Sequence, residues 1–172
     1  MEKEFLNPEK ILEKLNLKGN EIAADFGSGS GGWTLPLAKI LKKGKVFAFD
    51  ILEEPLSVLS LKVKTERIYN LEIRKCDLEE KVPLLPNSVD LVLMTNLLFQ
   101  VKEKKKVLKE GKRILREGGK ILIVDWIKDN PLTKEIEWVN FEEIKKFARE
   151  LNLKIEKEFS AGVYHYGLIL VK

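Results

Sequence analysis

The sequence predicts a doubly wound α/β fold, with a seven-stranded, mostly parallel sheet and helices on both faces. Short apolar runs typical of buried strands alternate along the chain with stretches in which apolar residues recur at helical spacing. Such alternation indicates βαβ units and therefore parallel strands. At the end of the chain two strand-like runs, 153–160 and 163–171, are joined only by Ala161-Gly162. So short a link predicts an antiparallel C-terminal hairpin.

The length of 172 residues predicts one domain, residues 1–172, that is long enough to bury a core. The chain is 44% hydrophobic and 34% charged, a balance typical of soluble globular proteins. Its N-terminal residues lack the apolar segment of a signal peptide, and its apolar runs are far shorter than a membrane span. We therefore expect a cytoplasmic protein without a membrane partner.

Charge and ligand-type residues narrow the possible functions. The 31 basic and 27 acidic residues give a mild net charge of +4, which is not typical of a nucleic-acid-binding protein. The most basic stretch, 102–120, has apolar residues at helical spacing and no interleaved aromatic residues, which favours a solvated helix face over an RNA-binding patch. With Cys76 as the one cysteine and His165 as the one histidine, neither a disulfide nor a metal site is expected.

A glycine-rich segment carries the main functional signal. The apolar run 22–24 predicts a strand, Asp25 ends it, and a helical pattern begins near Leu35. Between them lie four glycines: Gly27, Gly29, Gly31 and Gly32. Glycines allow close approach of a ligand to the backbone, and the next helix offers free N–H groups and its positive dipole end. A ligand with a polar or anionic end is expected here.

These glycines fit two patterns. Read as Gly27-x-Gly29-x-x-Gly32, they match the dinucleotide-binding fingerprint. Read as Asp25-x-Gly27-x-Gly29-x-Gly31, they resemble the first motif of class I S-adenosylmethionine-dependent methyltransferases. Asp50 ends the second predicted strand 23 residues after Gly27, the approximate spacing at which such folds place a carboxylate against ribose hydroxyls. The glycines and Asp50 fit either class.

Later motifs make the resemblance to the methyltransferases more specific. Cys76-Asp77 follows the third predicted strand, Asn96 follows the fourth, and Leu115-Arg-Glu-Gly-Gly-Lys precedes the fifth. Together with the terminal hairpin, these features make nearly the whole chain resemble a class I methyltransferase, which implies a Rossmann-like fold and S-adenosylmethionine as cofactor, with S-adenosylhomocysteine as product. An NAD(P)-dependent oxidoreductase shares the glycines and Asp50 but would continue with further βαβ units.

The resemblance also implies roles for individual residues. Asp25 and the backbone of 27–31 would hold the amino-acid end of the cofactor, Asp50 its ribose, and Asp77 its adenine amine. The residues predicted to bind the cofactor are Asp25, Phe26, Gly27, Ser28, Gly29, Gly31, Asp50, Ile51, Cys76, Asp77, Leu78 and Asn96. The residues predicted to face the methyl acceptor are Trp33, Asp125, Trp126, Tyr164 and His165. His165 has the ordinary pKa of a base near neutrality, but a packed structural histidine is the simpler interpretation. No catalytic residue is assigned.

The acceptor stays open at this level. After the fourth strand the chain has Thr95-Asn96-Leu97-Leu98 instead of the Asp-Pro-Pro-Tyr or Asn-Pro-Pro-Tyr signature of the enzymes that methylate nucleic-acid amines. The segments Asn-Leu-Leu-Phe and Val-Asp-Trp resemble the quinone-biosynthesis-like branch, which favours a small molecule. Only the loop 127–140 offers an obvious cover, so the alternatives are an open cleft for RNA or protein and a homodimer that completes the site. A non-catalytic cofactor-binding module that contacts RNA or protein is a further alternative.

Overall fold

A computed structural model describes residues 5–127 and 138–172. Seven strands form one sheet in the order β3-β2-β1-β4-β5-β7-β6. The strands are β1 (Ile22–Phe26), β2 (Lys45–Asp50), β3 (Leu71–Lys75), β4 (Val89–Thr95), β5 (Leu115–Trp126), β6 (Lys154–Ser160) and β7 (His165–Val171). The helices are α1 (Pro8–Leu12), α2 (Thr34–Ile40), α3 (Glu53–Thr65), α4 (Lys104–Ile114) and α5 (Phe141–Glu150), with a 3-10 turn at Glu13–Leu15.

Strand directions confirm the predicted sheet. All pairings among β1, β2, β3, β4 and β5 are parallel, whereas β7 runs antiparallel to both β5 and β6. The hairpin predicted from the short link at Ala161-Gly162 is therefore present. The chain order places β1 and β4 side by side at the centre, which is the point where an open α/β sheet leaves a crevice beyond its carboxyl ends.

Alternation along the strands divides the core between the two faces of the sheet. Val92 and Ile123 belong to the cluster that α4 and α5 cover. Leu93 and Leu122 belong to the cluster that α1 and α2 cover. Because successive side chains of a strand point to opposite faces, neighbours in sequence at the end of a strand face different surroundings. Adjacent residues within a strand, such as Val92 and Leu93, therefore belong to different clusters.

The start of α1 follows the sequence closely, but the start of β5 does not. Asn7 caps α1, its side-chain oxygen accepting from the backbone N–H of Lys10 at 3.1 Å, and Pro8 takes the first helical position. The segment Glu117-Gly118-Gly119, expected to be a turn before β5, lies inside that strand. The register jumps there, with Leu115 opposite Val89 and Lys120 opposite Leu91, and Gly118 has φ +76°. The glycines thus form an irregularity within the strand and do not separate it from α4.

The loop predicted to cover the cleft lies largely outside the described part of the chain. Residues 128–137 of the loop 127–140 lie outside the described residues. Within residues 5–127 and 138–172, no helix has the length and apolar character needed to cross a membrane.

Candidate active site

A cavity of about 610 Å³ opens beyond the carboxyl ends of β1, β2 and β4. We call it the first cavity. Its walls come from the glycine-rich loop, the segment after β2, the segment after β3 and the segment after β4. Asp50 and Asp77 supply carboxylates, while Leu78 and Leu97 supply apolar surface. Four separate segments of the sequence therefore meet around one space, as expected at the centre of such a sheet.

Backbone geometry shows which glycine pattern the loop uses. Gly27, Gly29 and Gly31 have φ angles of +76°, +51° and +94°, in the region that glycine adopts readily, and Gly32 is not among the positive-φ residues. The N–H groups of Gly27 and Ser28 both donate to the carbonyl of Phe49 at 2.9 Å, which fastens the loop to β2. The three glycines with positive φ are therefore those of the pattern Asp25-x-Gly27-x-Gly29-x-Gly31, which is the methyltransferase-like one.

Gly31 performs a packing role, and its replacement by alanine is expected to destabilise the fold by about 1–3 kcal/mol. A Cβ atom on Gly31 would lie 2.5 Å from Cδ1 of Leu59 and 3.1 Å from Cγ of Leu35, on a backbone already at φ +94°. The matched control is Gly32→Ala, because nothing lies within 4 Å of a Cβ there. Urea unfolding of both variants measures the difference; equal free energies of unfolding would contradict this role.

Asp50 is held rigidly at the wall of the first cavity. Its Oδ2 accepts from the N–H of Gly29 at 2.8 Å, and its Oδ1 accepts from the N–H of Leu52 at 3.0 Å. Each carboxylate oxygen has further lone pairs available after these bonds. The fixed carboxylate can therefore accept hydrogen bonds from two adjacent hydroxyl groups of a ligand.

Asp77 stands on a loop that is joined to the next helix. Its Oδ1 accepts from the N–H of Glu79 at 2.9 Å, and Oε1 of Glu79 accepts from the N–H of Glu103 at 2.6 Å. Glu103 is the residue that precedes α4. The segment after β3 is thus bonded to the end of the segment after β4, and together they enclose one side of the first cavity.

Asp25 lies behind the glycine-rich loop and does not line the first cavity. Its side chain is fully buried, and Oδ2 accepts from Oγ1 of Thr34 at 2.5 Å. Burial raises the pKa of Asp25 from 3.8 to about 7; the Thr34 hydrogen bond opposes this rise, and the charge of Asp50 adds to it. The other oxygen, Oδ1, is buried without a hydrogen-bond partner in the described part of the chain.

Several residues predicted to touch the cofactor do not reach the first cavity. Phe26 is fully buried in the core, where its ring meets that of Phe49 edge to face. Gly31 faces Leu35 and Leu59 instead of the open space. Cys76 is partly buried and packs against the core, because the strand ends before it and Asp77 takes the exposed position. The remaining residues predicted to bind the cofactor, apart from Asp25, line the first cavity: Gly27, Ser28, Gly29, Asp50, Ile51, Asp77, Leu78 and Asn96.

The residues expected to face the acceptor fall into separate places. Trp33 lines the first cavity. Trp126, Tyr164 and His165 line a smaller cavity of about 220 Å³, which we call the second cavity. Asn96 lines both cavities and so forms a wall between them.

Asp125 does not face either cavity, which corrects the expectation that it meets the acceptor. It is fully buried, and its carboxylate accepts from the N–H groups of Leu98 and Trp126, both at 2.9 Å. Burial raises its pKa to about 6, and the backbone N–H bonds counteract the rise. Asp125 and Trp126 are neighbours on a strand and point to opposite faces. Asp125 therefore anchors the loop after β4, which carries Asn96 and Leu97.

Some lining residues have no signal in the sequence. Glu79, Gln100 and Val101 come from irregular loops, where neither periodicity nor a motif marks them. Gln100 is held by its Nε2, which donates to the carbonyl of Asn96 at 2.7 Å. Phe5 and Leu6, which line the second cavity, come from the segment before α1. Their contribution depends on tertiary placement alone.

The fold is that of a class I methyltransferase. Residues 24–123 match the family described as methyltransferase domain. The chain belongs to this family, which confirms the class predicted from its motifs. The quinone-biosynthesis-like branch is not distinguished by this match and stays a prediction.

Solved structures agree with the assignment. A SAM-dependent methyltransferase from Aquifex aeolicus has a TM-score of 0.86 and 29% identity, covering 96% of this chain and 89% of that chain. Phosphoethanolamine N-methyltransferase 2 from Haemonchus contortus, in complex with S-adenosyl-L-methionine, has a TM-score of 0.82 and 20% identity, covering 96% of this chain and 52% of that one. The [4+2]-cyclase SpnF has a TM-score of 0.83 and 12% identity, covering 96% and 80%. The last two show the fold alone. A search of curated proteins found no match.

Proposed function

We propose that the first cavity binds S-adenosylmethionine, the methyl donor of this methyltransferase, and that a small acceptor binds next to it. The observation that carries the proposal is the carboxylate of Asp50, fixed at the cavity wall by the N–H groups of Gly29 and Leu52. A carboxylate held in this way suits a pair of ribose hydroxyls. The motif at Asp25 and the three left-handed glycines support the same ligand.

Unpartnered polar atoms around the glycine-rich loop fit this cofactor. Ser28 Oγ and Asn96 Oδ1 belong to residues that line the first cavity, and both are buried without a hydrogen-bond partner within the described ranges. Buried polar atoms without partners are uncommon, because leaving them unpaired costs free energy. The cofactor offers an ammonium group, a carboxylate and two ribose hydroxyls, which supply donors and acceptors of the required kinds. The residues present therefore suit it.

The chain contributes binding, orientation and exclusion of water. When bound, S-adenosylmethionine supplies an activated methyl group: the acceptor's lone pair forms the new bond, and the C–S bond breaks with its electron pair on sulfur. Asp50 and the glycine-rich loop would orient the cofactor, and Leu78 and Leu97 add apolar wall. Orientation of two reactants can lower a barrier by about 7–11 kcal/mol in well-aligned models. No side chain need act as a base unless the acceptor must lose a proton.

Two other readings receive less support. An oxidoreductase is disfavoured because the left-handed glycines follow the methyltransferase pattern and the chain belongs to a methyltransferase family. An RNA-binding role for α4 is disfavoured because much of its positive charge is paired within the chain. Lys105 binds Glu150 at 2.6 Å and Arg116, just after the helix, binds Asp90 at 2.7 Å.

Calorimetric titration tests the cofactor assignment directly. The purified protein is titrated in parallel with S-adenosylmethionine, S-adenosylhomocysteine and NADH. We expect binding of the first two and none of the third. Binding of NADH alone would overturn the proposal and would make Gly27-x-Gly29-x-x-Gly32 the operative pattern.

Asp77 provides a second, smaller test of the same cavity. Asp77→Ala is expected to weaken the binding of S-adenosylmethionine about fivefold, the equivalent of ~1 kcal/mol. The substitution removes an exposed carboxylate and with it one hydrogen bond to the ligand. Glu80→Ala is the matched control, since Glu80 is an exposed carboxylate on the same loop outside the cavity lining. An unchanged dissociation constant for Asp77→Ala would remove this residue from the site.

A further inference from the structure

We propose that the second cavity binds the methyl acceptor and selects an uncharged small compound that carries a hydrogen-bond donor. The proposal rests on the proposed function, since it gives a substrate class to the methyltransferase whose cofactor occupies the first cavity. The observations that carry it are the position of the second cavity, the charge of its lining and the unpartnered atoms in its wall.

The second cavity lies at the correct edge of the sheet for an acceptor. Asn96 follows β4 and lines both cavities, its backbone N–H donating to the carbonyl of Val124 on β5 at 2.8 Å. Trp126 ends β5 and is paired with His165 on β7, and their rings lie 3.9 Å apart between centroids. The N–H of Ile127 donates to the carbonyl of Tyr164 at 3.0 Å and closes this corner. Asn96 is therefore a residue that the two cavities share.

The charge of the lining distinguishes the two cavities. Asp50, Asp77 and Glu79 give the first cavity three carboxylates. The described residues of the second cavity are apolar, aromatic or neutral: Phe5, Leu6, Asn96, Trp126, Val163, Tyr164 and His165. A carboxylate, phosphate or ammonium group that entered would lose water without gaining an opposite charge from these described lining residues, which is costly. An uncharged compound pays no such cost.

Two buried atoms in this wall lack partners that an acceptor could supply. Asn96 Oδ1 and His165 Nε2 have no hydrogen bond within residues 5–127 and 138–172. Burial lowers the pKa of His165 to about 4, so its imidazole is neutral at physiological pH. An amide oxygen accepts hydrogen bonds, and a neutral imidazole accepts through its unprotonated nitrogen. A ligand with a hydroxyl or N–H group would supply the donor that these two acceptors lack.

The size of the second cavity favours a compound of about one ring. Its volume of about 220 Å³ lies below the range of about 300–1,000 Å³ that is usual for drug-sized ligands. The rings of Trp126 and Tyr164 supply apolar surface for a flat molecule. A protein or RNA acceptor would have to insert a single group here, so the small compound is the better fit.

Two probes of the same shape and different charge test the proposal. The protein, saturated with S-adenosylhomocysteine, is titrated with 4-methylphenol and with 4-hydroxybenzoate while the indole N–H signal of Trp126 and the ring signals of His165 are followed by NMR. We expect 4-methylphenol to shift both residues and to bind at least tenfold more tightly than 4-hydroxybenzoate, because only the latter must bury a charge. Equal or tighter binding of 4-hydroxybenzoate would overturn the selection for uncharged compounds.

Substitutions at Val163, which lies in the loop between β6 and β7, test whether the probes bind in the second cavity itself. Val163→Phe should fill the cavity and abolish the shifts, and Val163→Lys should change the ratio of affinities at least tenfold in favour of 4-hydroxybenzoate. Lys157→Ala on β6, outside the cavity lining, is the control and should change neither. Shifts that persist in Val163→Phe would place the binding elsewhere.

Titration of the same samples with S-adenosylmethionine separates the two proposals. If S-adenosylmethionine binds and neither probe shifts Trp126 at roughly 10 mM, the assignment of the second cavity to a small acceptor fails, and a macromolecular acceptor becomes the better reading. If S-adenosylmethionine itself does not bind, the proposed function fails.

Discussion

Replacement of Asp50 by alanine is expected to weaken S-adenosylmethionine binding about 100-fold, the equivalent of ~3 kcal/mol. The estimate follows from two lost hydrogen bonds between a charged carboxylate and ribose hydroxyls, each worth about 1.5–3 kcal/mol. The same change frees the N–H of Gly29, which loses its bond to Oδ2, so the glycine-rich loop is held less firmly. The loss of affinity should therefore exceed that of Asp77→Ala, because the Asp77 side chain is bonded to the segment after β3 and not to the glycine-rich loop.

Calorimetric titration of three variants checks this expectation. Asp50→Asn keeps the shape of the side chain and one acceptor oxygen, so its affinity for S-adenosylmethionine should lie between those of the parent and Asp50→Ala. Glu54→Ala is the matched control, because Glu54 is an exposed carboxylate at the start of α3 outside the cavity lining. Thermal unfolding of each variant verifies that it is folded. If Asp50→Ala binds the cofactor as tightly as the parent, the cofactor does not occupy the first cavity as proposed.

Replacement of Asp25 by asparagine is expected to stabilise the ligand-free protein at pH 8, by up to about 4 kcal/mol. The folded pKa of Asp25 is about 7 and its ordinary value is 3.8, so between these values the folded state holds a proton that the unfolded state has released. Stability from this group is therefore fully present below about pH 4 and is lost as the pH rises to 7. Asparagine is nearly isosteric, carries no charge to bury, and can still accept from Thr34 Oγ1.

Urea unfolding at about pH 4.5, 6, 7 and 8 provides the measurement, because these values span the range from about 4 to 7 in which the protonation of Asp25 differs between the folded and unfolded states. Asp125, whose pKa burial raises to about 6, contributes in the same direction in parent and variant, so the difference between them isolates Asp25. Glu54→Gln, at an exposed carboxylate at the start of α3, is the control for the removal of one acidic side chain. A difference that is flat with pH would mean that Asp25 is not buried as a protonated group.

The fold was predictable because its signals are local. Each central strand is a short apolar run, and Asn7-Pro8 supplies its own helix cap. The link between β6 and β7 is four residues, 161–164, instead of the predicted two, but it is still short enough to permit only antiparallel strands. Asp50 was predictable as a wall of the cavity for a related reason. In a parallel sheet, the carboxyl end of every strand points to the same edge, so a carboxylate at that end lies near the crevice.

The rest of the candidate site depends on tertiary placement. Asp125 and Trp126 were grouped by sequence, but the pleat sends their side chains to opposite faces. Gly31 was read as a ligand contact because its motif contains it, and only the packing of Leu35 and Leu59 against it shows the other role. Glu79 reaches the cavity from a loop that is bonded to distant Glu103, and Gln100 from an irregular turn held by its bond to the carbonyl of Asn96. No spacing in the sequence encodes such bonds.

The position of Asn96 between the two cavities has a thermodynamic consequence. Any factor by which an occupied first cavity changes the affinity for the acceptor must equal the factor by which the acceptor changes the affinity for the cofactor. A substitution at this one side chain would thus alter two equilibria and their coupling together. Asp125 anchors the loop that carries Asn96, because its carboxylate accepts from the N–H of Leu98. If both proposals hold, replacement of this buried carboxylate, which lines neither cavity, should change the coupling between the two ligands.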